Sequence, residues 1–131
     1  MDDPLGAVNP QRLARVAFGL GALVITYLSL IPAEELPKLE LWDKLEHALA
    51  YAVVAVAAGV GWAGHRRAKA LLGIGLMVLG VVLEFLQSFV PGRLTDPGDA
   101  LANLTGILVG LGIVAAVARV GGRAGRLGKG W

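Results

Sequence analysis

Residues 70–92 read ALLGIGLMVLGVVLEFLQSFVPG, a 23-residue run whose one charge is Glu84. Such a run is too long for an ordinary core strand and matches the roughly 20 apolar residues that cross a bilayer core as a helix. Three more runs share its character: Val16–Ala33 (18 residues), Ala48–Gly64 (17) and Ala100–Ala118 (19), none carrying a charge. Four spans, at about 13–32, 44–64, 69–90 and 100–119, account for most of the 131 residues and leave a basic tail at 120–131. The fold class expected is all-α, a polytopic membrane four-helix bundle forming a single domain.

Composition supports this. The chain is 56% hydrophobic and 17% charged, with a mean hydropathy of +0.67, too little polar material to coat a soluble domain. The absence of cysteine excludes disulfides, thiolate metal sites and a cysteine nucleophile.

An isoelectric point near 9.3 is explained by topology and not by nucleic acid. With the N-terminus inside, nine of the twelve Lys and Arg residues are cytoplasmic: Arg12, Arg15, Arg66, Arg67, Lys69, Arg119, Arg123, Arg126 and Lys129. Lys38, Lys44 and Arg93 remain outside. This is the positive-inside bias, and it places both termini in the cytoplasm of a cell-membrane protein. The Gly- and Arg-rich segment Gly121–Trp131 reads as a mobile tail beside anionic headgroups. A cleaved signal peptide is the alternative for span one. Signal cores run to about 7–15 residues before a small-x-small site, whereas this run is longer and ends in Ile31-Pro32-Ala33.

The outer ends carry the polar material. The segment 33–42 alternates acids with leucines and ends at Trp42, which suits the aromatic belt. Asp43 then opens span two as a capping box with Glu46. Pro91-Gly92 and Asp96-Pro97-Gly98 mark a tight loop before Asp99 opens span four. Ser29-x-x-Pro32 matches Ser88-x-x-Pro91, and Asp43-x-Leu45 matches Asp99-x-Leu101. This weak repeat suggests two helical hairpins related by a pseudo-two-fold axis along the membrane normal, which sets Asp43 and His47 opposite Asp99 and Asn103.

Helical spacing gathers these residues into stripes: Asp43, His47 and Tyr51 on span two; Glu84, Gln87 and Ser88 on span three; Asp99, Asn103, Gly106 and Gly110 on span four. None suits lipid, so they should converge inside the bundle. Glu84, seven residues before Pro91, lies roughly 10 Å down its helix, and an ionised carboxylate there needs a cation or several donors. It reads either as a proton acceptor or cation or headgroup ligand, or as a hydrogen bond joining helices. His47 is a functional candidate set against a satisfied core histidine. Asp43 and Asp99 are caps or site residues, Asp96 a turn-former or a ligand, Tyr51 an anchor or a contact, and Arg93 a specific or a general headgroup contact. Gly106-x-x-x-Gly110 reads as a close helix contact.

Asp43-Lys44-x-x-His47 with Tyr51, Glu84-x-x-Gln87, Pro91-Gly92-Arg93 with Asp96, and Asp99 with Asn103 and Gly106 together resemble the VanZ-like family of small bacterial membrane proteins. The resemblance covers roughly residues 25–112. It implies an envelope role and a link to resistance to glycopeptides, especially teicoplanin; the family has no agreed biochemical activity to carry over.

Three functions fit these residues. The first is binding or handling of an anionic lipid or cell-wall-precursor headgroup in an outward-facing polar cavity. Lys44, His47, Tyr51, Gln87, Arg93 and Asn103 would make contacts, and Glu84, Asp96 or Asp99 could hold a divalent cation. The second is a membrane-embedded hydrolase or transferase with His47, Glu84 and Asp99 as its catalytic candidates and Ser88 as a speculative nucleophile. The third is a proton-coupled lipid transporter or flippase using Glu84 and His47, for which four short spans would need to form a homo-oligomer.

Overall fold

The computed structural model describes residues 8–37 and 43–128. Four helices form in order: α1 (Pro10–Leu30), α2 (Asp43–Gly61), α3 (Arg66–Gln87) and α4 (Pro97–Leu127), with a 3₁₀ turn at Ala33–Glu35 after α1. All four are long and apolar enough to cross a membrane. The protein is thus an all-α, multi-pass helical bundle. The expectations placed on Lys38, Glu40, Trp42 and Lys129 lie outside the described residues.

Local chemistry sets the helix ends. Asn9 caps α1 by accepting the Gln11 N–H at 2.9 Å, ahead of Pro10. The chain leaves α1 at Ile31, in extended backbone before Pro32. Gly64 and Gly92 turn the chain with φ of +83° and +76°, a conformation side chains with a Cβ rarely adopt.

Two helix starts differ from the sequence reading. Span four begins at Pro97, not Asp99, and its cap is Asp96, which accepts the Gly98 N–H at 2.8 Å. Proline favours the first helical position because it has no N–H to leave unpaired there. Asp99 falls in the first turn, with its carboxylate released from capping. Asp43 is likewise the first residue inside α2.

The tail also differs. Helix α4 runs for 31 residues, roughly 46 Å at 1.5 Å per residue, against a hydrocarbon core of about 30 Å. It continues through Arg119, Arg123 and Arg126 to Leu127 because no proline stops it and Ala and Arg sustain helix.

Helices α2 and α4 form the centre and run parallel. Gly106 of α4 lies on the Ala48 carbonyl, Gly110 on Ala52 and Ala55, and Val114 on Gly59. A Cβ at Gly106 would overlap the Ala48 carbonyl oxygen, so the close-contact reading of Gly106-x-x-x-Gly110 holds. Around this pair, Tyr51, Val54, Ala55, Leu76 and Ile107 form the buried core, joined by Phe18, Ile25, Met77 and Leu111.

Helix α1 packs antiparallel on α2 and α3 antiparallel on α4, so the helix directions are those of a pseudo-two-fold axis running between α2 and α4. The flanking helices stand at different heights. Gly21 against Val54 and Arg15 against Gly61 put Ser29 level with Glu46. Gly80 against Asn103 and Glu84 against the Asp96 backbone put Ser88 level with Thr95. Relative to Asp43 and Asp99, the offset is about seven residues, or roughly two turns.

Two arginines close exposed helix ends, where unpaired carbonyls carry the negative end of the dipole. Arg15 donates from Nε to the Gly61 carbonyl at 2.8 Å and lies 5.2 Å from the Trp62 ring centre. Arg93 donates to the Leu28 and Ile31 carbonyls at the end of α1.

Candidate functional site at the start of α2 and α4

Because α2 and α4 begin at the same end of the bundle, the first two turns of each face one another. His47 Nδ1 lies 3.2 Å from Asn103 Oδ1. Asn103 is buried, and its amide nitrogen is directed toward Gly80 of α3. A Cβ at Gly80 would come within 2.9 Å of that nitrogen and 3.1 Å of the Tyr51 hydroxyl, so the glycine provides the space in which both sit. With Asn103 Oδ1 as acceptor, Nδ1 of His47 carries the hydrogen and donates it. Nε2 then lies on the other side of the ring.

That side faces two carboxylates. His47 Nε2 is 3.9 Å from Asp43 Oδ1 and 3.9 Å from Asp99 Oδ2, beyond hydrogen-bond reach. The Asp99 side chain is only 5% exposed. Its other oxygen, Oδ1, lies 3.5 Å from Lys44 Nζ, which makes a closer pair with Asp96 Oδ2 at 2.5 Å. The Lys44 hydrogen bond, with a second from the Gly98 N–H, holds the Asp96 carboxyl below the usual range. Lys44 is therefore engaged within the cluster and is not a free headgroup contact.

Glu84 is half-buried on α3 and accepts the Asp96 N–H at 2.9 Å. It tethers the α3–α4 loop to the helix beneath it. An open groove of about 340 Å³ runs beside it, lined by Val81, Glu84, Phe85, Ser88, Thr95, Pro97 and Ala100. The lining is amphipathic. Ser88 donates its hydroxyl to the Phe85 carbonyl at 2.6 Å, which gives it a local structural partner in place of a general base.

The sequence-derived residues therefore divide into three places. Asp43, Lys44, His47, Asp96, Asp99 and Asn103 come together, with Tyr51 buried beneath them. Glu84 borders the groove, and Gln87 is buried on the same helix. Arg93 turns away toward α1, and burial pushes its guanidinium pKa down while the charge of Asp43 opposes that shift. The groove is lined by Glu84 and not by His47 or Arg93, although the charges of His47 and Asp99 act on Glu84 and that of Asp43 on Arg93.

The metal candidates also regroup. Asp96 is paired with Lys44 and Glu84 with a backbone N–H, whereas Asp99 faces His47 and Asp43. Asp43 was legible as a helix-face partner of His47 but not as a ligand, because its position at the start of a span suggested a cap.

No protein family, curated protein or solved structure matches the chain. The likeness to VanZ-like proteins rests on the spaced polar residues alone.

Proposed function

We propose that this is a VanZ-like protein of the bacterial cell membrane that binds an anionic lipid or cell-wall-precursor headgroup at the outer end of its bundle. The observation that carries the reading is that an amphipathic groove on the α3–α4 side stands beside a polar cluster at two parallel helix starts, linked to it where Glu84 of the groove accepts the Asp96 N–H. The apolar walls of the groove suit acyl chains, and Glu84, Ser88 and Thr95 in its lining suit a polar headgroup. The helix N-termini contribute positive dipole ends. The basic asymmetry of the sequence orients this end outward and both chain termini toward the cytoplasm.

Binding is favoured over passage across the membrane. Deeper in the α2–α4 contact, Ala55 and Ala58 are fully buried and Val114 presses on Gly59, which leaves no polar route along that contact among the described residues. A membrane-embedded hydrolase or transferase is the second reading, favoured by the imidazole that Asn103 orients between carboxylates.

The test compares Glu84→Gln and His47→Ala with the unaltered protein in cells matched for protein abundance, reading teicoplanin sensitivity and co-purifying lipid. Loss of both properties at normal abundance supports the proposal. Unchanged lipid and drug response would reduce these residues to links between helices.

A further inference from the structure

Three side chains at the head of the α2–α4 contact are arranged in a way that hydrogen bonding does not explain. One ligand atom from each of Asp43, His47 and Asp99 lies within 4.8 Å of the others, and Nε2 of His47 stands 3.9 Å from Asp43 Oδ1 and from Asp99 Oδ2. With Nδ1 of the imidazole turned to Asn103 Oδ1, its Nε2 side faces the two carboxylates. Among the described residues, no N–H or O–H donor reaches Asp99 Oδ2 within hydrogen-bond distance. That oxygen belongs to a side chain more than nine-tenths buried. Two carboxylate oxygens and an imidazole nitrogen facing one space are neutralised either by a proton on the ring or by a cation held between them, and the donor set suits the second as well as the first.

We propose that Asp43, His47 and Asp99 bind one divalent transition-metal ion of the zinc class. The donor set is one imidazole nitrogen and two carboxylate oxygens. Nitrogen disfavours Ca²⁺ and Mg²⁺, which take oxygen ligands, and the chain has no thiolate to favour a softer ion. Ligands on a tetrahedral ion at about 2.1 Å stand roughly 3.4 Å apart. The 3.9 Å separations from Nε2 close to that spacing with a movement of about half an ångström, and the carboxylate oxygens, within 4.8 Å of each other, with one of up to about 1.4 Å, which the exposed Asp43 side chain can supply by rotation. Asn103 is the positioning residue: a histidine ligand whose other ring N–H is held by a carbonyl oxygen keeps one tautomer and one ring orientation.

Three protein ligands leave one position open, as in zinc sites that act on a bound molecule. The site lies where carboxylates outnumber cations, so an anionic headgroup would reach it through the metal and not through Lys44. That last step rests on the headgroup reading; the metal site itself does not.

The test titrates Zn²⁺, and separately Ca²⁺, into tag-free, chelator-treated protein in non-ionic detergent, followed by calorimetry. The expected result is one Zn²⁺ per chain and far weaker Ca²⁺ binding. Asp43→Asn, His47→Ala and Asp99→Asn should each weaken Zn²⁺ at least about tenfold, and Asn103→Leu about 10–100-fold. Asp43 is exposed, so its variant tests the site even where a buried substitution unfolds the bundle. His65→Ala, at the turn before α3, should change nothing. Absent Zn²⁺ binding, full affinity in Asp43→Asn and His47→Ala, or loss that follows His65 would overturn the proposal. Zn²⁺ binding without lipid retention would leave the site standing and remove the headgroup reading. Lipid retention by a protein that takes no Zn²⁺ would do the reverse.

Discussion

His47, one turn into α2, and Asn103, nearly two turns into the parallel α4, meet at 3.2 Å. Interhelical polar pairs inside membranes couple by about 0.6 kcal/mol on average and up to about 1.7. A double-mutant cycle with His47→Leu and Asn103→Leu, read by unfolding in mixed detergent, should fall in that range. Strict additivity would mean that the two side chains do not interact.

The same helix pair depends on two glycines. Gly106→Ala would drive a Cβ into the Ala48 carbonyl, and overpacking of this kind costs about 1–3 kcal/mol. The melting temperature should drop clearly, whereas Gly112→Ala, with nothing within 4 Å, should be neutral or gain up to about 1 kcal/mol. Equal melting temperatures for the two variants would contradict the packing described.

The Lys44–Asp96 pair gives a pH signature. Its hydrogen bond lowers the Asp96 pKa below the ordinary 3.8. A carboxyl depressed in the folded state adds stability that is fully present above its unfolded pKa and is lost as pH falls through the folded value. The melting temperature should therefore hold between pH 7 and about 5, then decline below about 4. Asp96→Asn should flatten part of that decline. An unchanged acid limb in the variant would refute the pair's contribution.

Topology can be tested directly because the chain has no cysteine. A single cysteine at Leu94, which is 93% exposed, should react with an impermeant maleimide in intact cells, and one at Arg66 should react only after lysis. The reverse pattern would invert the orientation.

Most of the bundle was legible because the apolar runs have the length of a bilayer crossing, and because polar residues spaced by helical turns have nowhere to go but inward. The matched Asp-x-Leu starts correctly set Asp43 and His47 opposite Asp99 and Asn103. What escaped was set by tertiary contacts. Arg93 reads as a free outer cation until the end of α1 arrives with unpaired carbonyls at Leu28 and Ile31. The two-turn offset of α3 accompanies the seat that Gly80 makes for Tyr51 and Asn103, and it brings Glu84 to the Asp96 backbone N–H. The cap at Asp96 was within reach, since an Asp before Pro is a helix-start signal, but Asp99 two residues after that proline competed for the same role.

The central claim is that the outer polar end binds an anionic headgroup, and native mass spectrometry of the protein released from mild detergent tests it most directly. The account predicts a retained phosphate-bearing lipid on the unaltered chain, greatly reduced in Glu84→Gln and His47→Ala while both variants remain folded. A bare chain, or the same lipid adducts in all three proteins, would contradict it.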